Sequence, residues 1–475
     1  MQALLKEIAL LSSTAAILGW DQETYAPSNS VTYRAQQLSY LHGRIHELKT
    51  SPTFQEGLAS LNGPDQRELT HQYERATKLP QELILRDSET STLAKAAWAK
   101  AREKNDYQTF APHLAKLLTL AKEKAEHWGY QDEPYDALLS EYERGAKTSE
   151  VATLFDSISQ ELAEIAAAAV EASAHIPAHA LHGSSPIEAQ KTLNQEVAES
   201  LGFDFKEGRI DTTHHPFCTT LGPADIRLTT RYDEQDFTSS LFGVMHEAGH
   251  GLYEQGLPSD NFHLPSGQAV SLGIHESQSR LWENHIGRSR PFWEKWLPRA
   301  QELFPHLRGI ALDQFLITIN RAAYTAIRVE ADEATYDLHI LLRFQLERAL
   351  LSGDLTVEDL PHAWNETFTK LFGFTPENDT EGCLQDIHWS MGGLGYFATY
   401  TLGNINSAQL FQTAQKQAEV GTAFAKGDFL PTLHWMQKNI HAHGSNHLPQ
   451  DLMKKATGQK TNPQPYLEHL RQRFL

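Results

Sequence analysis

The sequence predicts a mainly α protein: one large helical domain over residues 1–475, with a small β element beside a single chemistry-bearing helix. Three observations carry this reading. Apolar residues recur at intervals of three and four along most of the chain, the spacing of a helix face. Stretches such as 91–106 and 162–174 are rich in Ala, Glu, Lys and Leu, all strong helix formers. Strand-like alternation is scarce and stands out in one segment, 225–232.

Composition bounds what such a fold can do. Forty per cent apolar and 21% charged residues suffice for a sizeable core and do not describe a disordered chain. With 41 Lys+Arg against 60 Asp+Glu, the formal net charge is −19. That field repels phosphate backbones, so nucleic acid is not an expected partner. Two cysteines, Cys218 and Cys383, are too few to staple a chain of this size, which points to a reduced, cytoplasmic setting.

Taken in order, the chain opens with Leu4, Ile8, Leu11, Ala15 and Leu18, spaced as one face of an amphipathic helix rather than as the apolar core of a secretory signal. No uniformly apolar run approaches the roughly 18 residues of a membrane span, so no membrane partner is expected. Breakers at Gly129, Pro134, Gly145, 177–186 and Pro361 divide the next several hundred residues into helices joined by compact loops. In 225–232, Ile226, Leu228, Thr230 and Tyr232 alternate with Arg227, Thr229 and Arg231, the period of a strand. Residues 233–236 supply a turn and an N-cap, and Phe237, Leu241 and Phe242 begin a new helical face.

That helix contains His246-Glu247-Ala248-Gly249-His250, an H-E-x-x-H motif. Residues four apart are turned by ~400°, so both imidazoles project from one face and reach one metal ion, whereas Glu247, displaced by ~100°, sits beside the metal as a base. Gly249 and Gly251 each cost about 1 kcal/mol relative to Ala in a helix, which implies close packing there. A catalytic zinc takes three protein ligands and keeps one position open. Two carboxylates compete for the third place: Glu254, on the same helix, and Glu276, in the segment His275-Glu276-Ser277. Glu276 is preferred because a Glu from a following helix is the arrangement of H-E-x-x-H sites with a carboxylate ligand. Glu283 is then an outer partner or a plain ion-pair residue.

Further motifs extend along almost the whole chain: Trp20-Asp21-Gln22-Glu23-Thr24-Tyr25, His215-Pro216-Phe217, Asp225-x-Arg227-x-Thr229, Ile327-Arg328-x-x-Ala331-Asp332 and Gly382-x-x-Gln385-Asp386-x-His388-Trp389. In this order, together with H-E-x-x-H and His275-Glu276-Ser277, they resemble the thermostable (Taq-type) metallocarboxypeptidases. The resemblance implies a mostly helical fold with a deep central groove, a small sheet beside the metal, and a homodimeric assembly. It also implies zinc, with cobalt as a substitute, held by His246, His250 and Glu276, with Glu247 as general base. The expected reaction is release of single residues from the free carboxyl ends of peptides, with broad specificity. The motifs must meet at one metal, so the chain is expected to act as one catalytic domain. Ala398, where relatives commonly carry Pro, is a small departure that touches no ligand.

An exopeptidase also needs a fixed cation for the terminal carboxylate, and the planar fork of arginine suits it. Arg328 holds the family's position, with Arg227 as a second contact; the bland alternative is an ion pair of Arg328 with Glu330 or Asp332. Tyr396 and His388 are candidate donors to the developing oxyanion, and His215 a candidate groove residue. His434, His441, His443 and His447 lie around Gly444 and Pro449 and read as structural. Two rival functions are a metallo-oligopeptidase or aminopeptidase with the same chemistry, and a silent helical peptide-binding protein.

Overall fold

The spacing of apolar residues is realised as twenty α-helices and one three-stranded sheet among the described residues. The computed structural model describes residues 1–213 and 216–475, apart from the side chains of Ser28, Val31, Thr32, Ala35 and Thr92. The chain divides into two compact units, each built from three stretches.

The first unit comprises Met1–Ala76, Ile176–Asn320 and Gly403–Tyr466. It opens with helix α1 (Gln2–Thr24), which packs Leu5 and Ile8 against Leu48, Phe54, Leu58, Leu69 and Leu264. By length and composition α1 is apolar enough to cross a membrane, which corrects the expectation that no segment reaches that length. Apart from Lys6 and Glu7, the gaps between its Leu and Ile residues are filled by Ala, Ser and Thr, so the average stays apolar although no uniformly apolar run is present.

The sheet holds β1 (Gly208–Thr212), β2 (Cys218–Gly222) and β3 (Asp225–Thr230) in the order β1-β3-β2. Strand β3 is central, parallel to β1 with Ile210 opposite Leu228, and antiparallel to β2 with Cys218 opposite Leu228. The alternation read over 225–232 therefore marks a real strand, two residues shorter than its pattern. Its buried Ile226 and Leu228 join the main core of this unit. Strands β1 and β2 have five residues each, too few to show a period of two.

Helix α2 (Phe237–Gly256) follows, with the Asp236 carboxylate accepting from the Thr238 amide at 2.9 Å as its N-cap. Val244, Met245, Ala248 and Leu252 bury one face of α2 in a core that also holds Trp282, Trp293 and Phe292, all fully enclosed. Helix α3 (Leu272–Arg280) is capped by Ser271, whose hydroxyl accepts from the Ile274 amide. It runs directly into a π-helical turn, Leu281–Ile286, a rare geometry that recurs at functional sites.

The second unit comprises Thr77–His175, Arg321–Leu402 and Leu467–Leu475. Its helices Gln81–Lys104 and Tyr107–Trp128 form an antiparallel pair joined through Asn105, which adopts a left-handed φ of 52°, and Asp106, which caps the second helix. Helix α4 (Tyr336–Ser352) is enclosed almost all round. His339, Arg343 and Glu347 recur along it at intervals of four and are all buried, so this helix carries a stripe of polar, ionisable side chains inside the unit.

Candidate metal centre

The one-turn spacing of His246 and His250 on α2 leaves their rings 5.0 Å apart, facing Glu276 from α3. Glu276 Oε2 lies 3.8 Å from His246 Nε2 and 3.5 Å from His250 Nε2. Metal–ligand bonds of about 2.0–2.1 Å in tetrahedral geometry place ligand atoms roughly 3.3 Å apart, so the three donors stand close to the separations one ion requires. Two imidazoles and a carboxylate also form a donor set suited to zinc and similar divalent ions. Glu254, the rival third ligand, is not part of this triangle.

The glycines of α2 explain how two helices approach so closely. A Cβ on Gly249 would sit 2.6 Å from Ser279 Cα and 2.7 Å from the Gln278 carbonyl oxygen, both backbone atoms of α3. Gly251 clears the Phe203 ring and Leu228, and Gly403 lies against the Glu276 side chain itself. Arg280 donates from Nε to Glu276 Oε1 at 2.7 Å, leaving Oε2 turned toward the imidazoles.

Each imidazole is held from behind. His246 Nδ1 meets Glu283 Oε2 at 2.8 Å, and Glu283 comes from the π-helical turn. His250 Nδ1 lies 2.5 Å from His275 Nδ1, and His275 Nε2 lies 2.7 Å from Glu254 Oε1. The Thr220 hydroxyl donates to Glu254 Oε2 at 2.7 Å.

The electrostatics ask for a cation. Burial opposes a proton on His246, yet Glu276 and Glu283 outweigh it and push the group up to about 9. Burial likewise opposes charge on Glu276, but Arg280, His246 and His250 hold its carboxyl well below the usual range. Burial, reinforced by the neighbouring His275 and His246, outweighs Glu276 and brings His250 down to about 4. Glu247, 6% exposed, is pushed up to about 7 by burial, with Glu276 and Glu283 adding to the effect. A carboxylate-rich, enclosed pocket in which a histidine keeps its proton is one that a divalent ion satisfies.

The other candidates fall elsewhere. On β3, Arg227 pairs with Asp225 at 2.8 and 3.0 Å and lies over the Trp20 ring at 4.2 Å. Arg328, His388 and Tyr396 are gathered in the second unit. Arg328 is 5% exposed; Nε and Nη2 donate to Asp386 Oδ1 at 3.1 and 2.7 Å, and Nη1 donates to the Tyr336 hydroxyl at 2.7 Å. Its carboxylate partner is thus Asp386, whereas Asp332 is occupied by the amides of Ala323, Ala334 and Thr335. Asp386 also pairs with Arg343, and Gln385 accepts from the Arg328 amide at 2.8 Å. Asp386 and Gln385 stand in a motif noticed in the sequence, but their partners lie some 50 residues away in the chain and spacing assigned them no role. His388 Nε2 lies 3.2 Å from the Tyr400 hydroxyl, and its ring, like that of Tyr142, packs against Tyr396. Burial, with Arg328 and Arg343 nearby, brings His388 down to about 3, so it is a neutral imidazole. His215 lies outside the described residues. Of the late histidines, His441 is fully buried against Gln278, and His443 and His447 pack ring to ring.

A helical chain in which an H-E-x-x-H helix and a following glutamate bring three metal donors together belongs to the class of metallopeptidases. Comparison with known proteins narrows the class. A family profile described as Carboxypeptidase Taq (M32) metallopeptidase matches residues 1–474. Thermostable carboxypeptidase 1 of Thermus thermophilus is 40% identical over 99% of this chain and 96% of its own length. Carboxypeptidase 1 of Bacillus subtilis is 37% identical over 99% and 96%. The crystal structure of the M32 carboxypeptidase from Deinococcus radiodurans superposes with a TM-score of 0.95 at 36% identity, covering 99% of this chain and 97% of that one. The chain belongs to the carboxypeptidase Taq family of metallopeptidases and is a metal-dependent carboxypeptidase.

Proposed function

We propose that this carboxypeptidase uses zinc, with cobalt as a substitute, to release single residues from the free carboxyl ends of peptides with broad side-chain tolerance. The observation that carries the proposal is the triangle of His246 Nε2, His250 Nε2 and Glu276 Oε2, all within 4.8 Å of one another. His246, His250 and Glu276 would hold the ion. When bound, zinc supplies Lewis acidity, polarising a carbonyl and acidifying water.

Glu247 is the group that takes the proton from the attacking water and passes it to the departing amine, a two-way role for which an enclosed carboxylate is suited. Arg328 receives the terminal carboxylate: three of its five N–H groups are committed to Asp386 and Tyr336, and two remain. That fixed cation, more than the metal, separates a carboxypeptidase from an oligopeptidase. Arg227 is the second contact, and Tyr396 and His388 donate to the oxyanion. The enzyme acts as a homodimer in the cytoplasm, the pattern implied by its family resemblance and its two free cysteines.

The product spectrum of one short peptide tests this reading. With a free carboxyl end and a blocked amino end, the peptide is shortened one residue at a time; its amidated twin is left intact. A chelator stops the reaction, and zinc or cobalt restores it. Internal cleavage, or equal turnover of the amidated peptide, overturns the exopeptidase assignment.

A further inference from the structure

The two histidine ligands are supported differently. His246 leans directly on a carboxylate, Glu283. His250 leans on another imidazole, His275, which in turn leans on Glu254. Hydrogen-bond chemistry allows this second chain one arrangement of protons when the imidazoles are neutral. With His250 Nε2 turned toward Glu276 and kept free to ligate, its proton sits on Nδ1 and is donated to His275 Nδ1. His275 must then carry its own proton on Nε2, and that N–H needs an acceptor. Glu254 Oε1 supplies it at 2.7 Å, while the Thr220 hydroxyl fixes the other oxygen.

The chain of contacts is also built sterically. His275 immediately precedes Glu276, so one turn of α3 carries both the third donor and the support of the second. The Tyr253 ring packs on His275 at 5.0 Å, and the Val270 amide donates to the Tyr253 hydroxyl. Gly249 lets the backbone of α3 approach α2 closely enough for the two imidazoles to meet.

We propose that Glu254 is a positioning residue for the metal: acting through His275, it sets the tautomer and ring orientation of His250 and so presents Nε2 for ligation. The proposal rests on His246, His250 and Glu276 being the metal ligands. Glu254 never touches the ion. Its effect is on how tightly the ion is held, because a carboxylate behind an imidazole fixes the ring and raises its basicity.

The test is the dissociation constant for Zn2+, measured by competition of the metal-stripped full-length protein against a chromogenic chelator. Glu254→Ala is expected to weaken binding by about 10–100-fold, the range found when such outer partners are lost. Glu254→Gln keeps an acceptor oxygen and recovers most of that loss. His275→Phe keeps a ring against Tyr253 but breaks the chain, and weakens binding comparably. The double variant Glu254→Ala/His275→Phe is no weaker than His275→Phe alone, since both act along one path. Zinc affinity unchanged in Glu254→Ala, or losses that multiply in the double variant, overturns the proposal. If Glu254→Ala does not fold, unchanged affinity in His275→Phe has the same force. A wild-type chain that binds no zinc overturns the ligand assignment beneath the proposal, which distinguishes the two failures.

Discussion

Glu247 and Asp386 are both enclosed carboxylates, and their surroundings give them opposite character. Glu247 is destabilised as an anion, chiefly by burial, and lies beside the metal donors without joining their triangle. Glu247→Gln therefore leaves the ligands intact: zinc affinity stays near wild type while kcat falls by several orders of magnitude, which a paired binding and turnover assay reads directly. Asp386 is stabilised as an anion: burial opposes its charge, but Arg328 and Arg343 hold its carboxyl far below the usual carboxylate range. A depressed carboxyl stabilises the fold above its unfolded value of about 3.9 and loses that contribution as the pH falls further. Wild-type stability is thus expected to drop below pH ~4. Asp386→Asn leaves two buried guanidinium groups without their shared carboxylate, a change of the kind that costs about 3–5 kcal/mol. Denaturant unfolding at pH 7, at pH ~4 and at pH ~2 checks both statements, since the variant starts lower and lacks the fall that the wild type shows between the last two.

Helix α2 shows why one substitution has opposite signs at two places on the same element. Intrinsic propensity favours Ala over Gly by about 1 kcal/mol in a helix interior. At Gly243 the nearest atom to an added Cβ is Thr230 Oγ1 at 3.5 Å, an ordinary contact, so Gly243→Ala is expected to raise stability by about 0.5–1 kcal/mol. At Gly249 the added Cβ meets α3 backbone at 2.6 and 2.7 Å, which must shift. Overpacking of that kind costs about 1–3 kcal/mol and outweighs propensity. Because the displaced helix carries Glu276, Gly249→Ala also loses zinc affinity; unchanged affinity would separate the close approach from the metal site. The same helix marks how far the sequence could be read. His246, Glu247 and His250 were legible because a spacing of four on a helix is a geometry, and Gly249 and Gly251 announced close packing without naming the neighbour. Strands β1 and β2 were not legible, each being only five residues long. Nor was the link from His250 through His275 to Glu254, which crosses between two helices: Glu254 was visible only as a rival ligand.

The net charge of −19 is a property of the whole molecule, but the metal belongs to one part of it. His246, His250 and Glu276 lie on α2 and α3, both within Ile176–Asn320 of the first unit, and among the described residues all three donors of that set come from this unit. A ligand that binds only the folded form stabilises it by about 4 kcal/mol when its free concentration is a thousandfold above its dissociation constant. That stabilisation acts first on the unit whose elements the ion ties together. Chelation is therefore expected to lower amide-exchange protection in Phe237–Gly256, Leu272–Arg280 and the central strand Asp225–Thr230. In the second unit, Tyr336–Ser352 and Gln81–Lys104 keep theirs, and added zinc restores the difference. An equal loss of protection in both units would mean that they open as one cooperative body. No change in either would mean that the ion contributes chemistry without holding the fold.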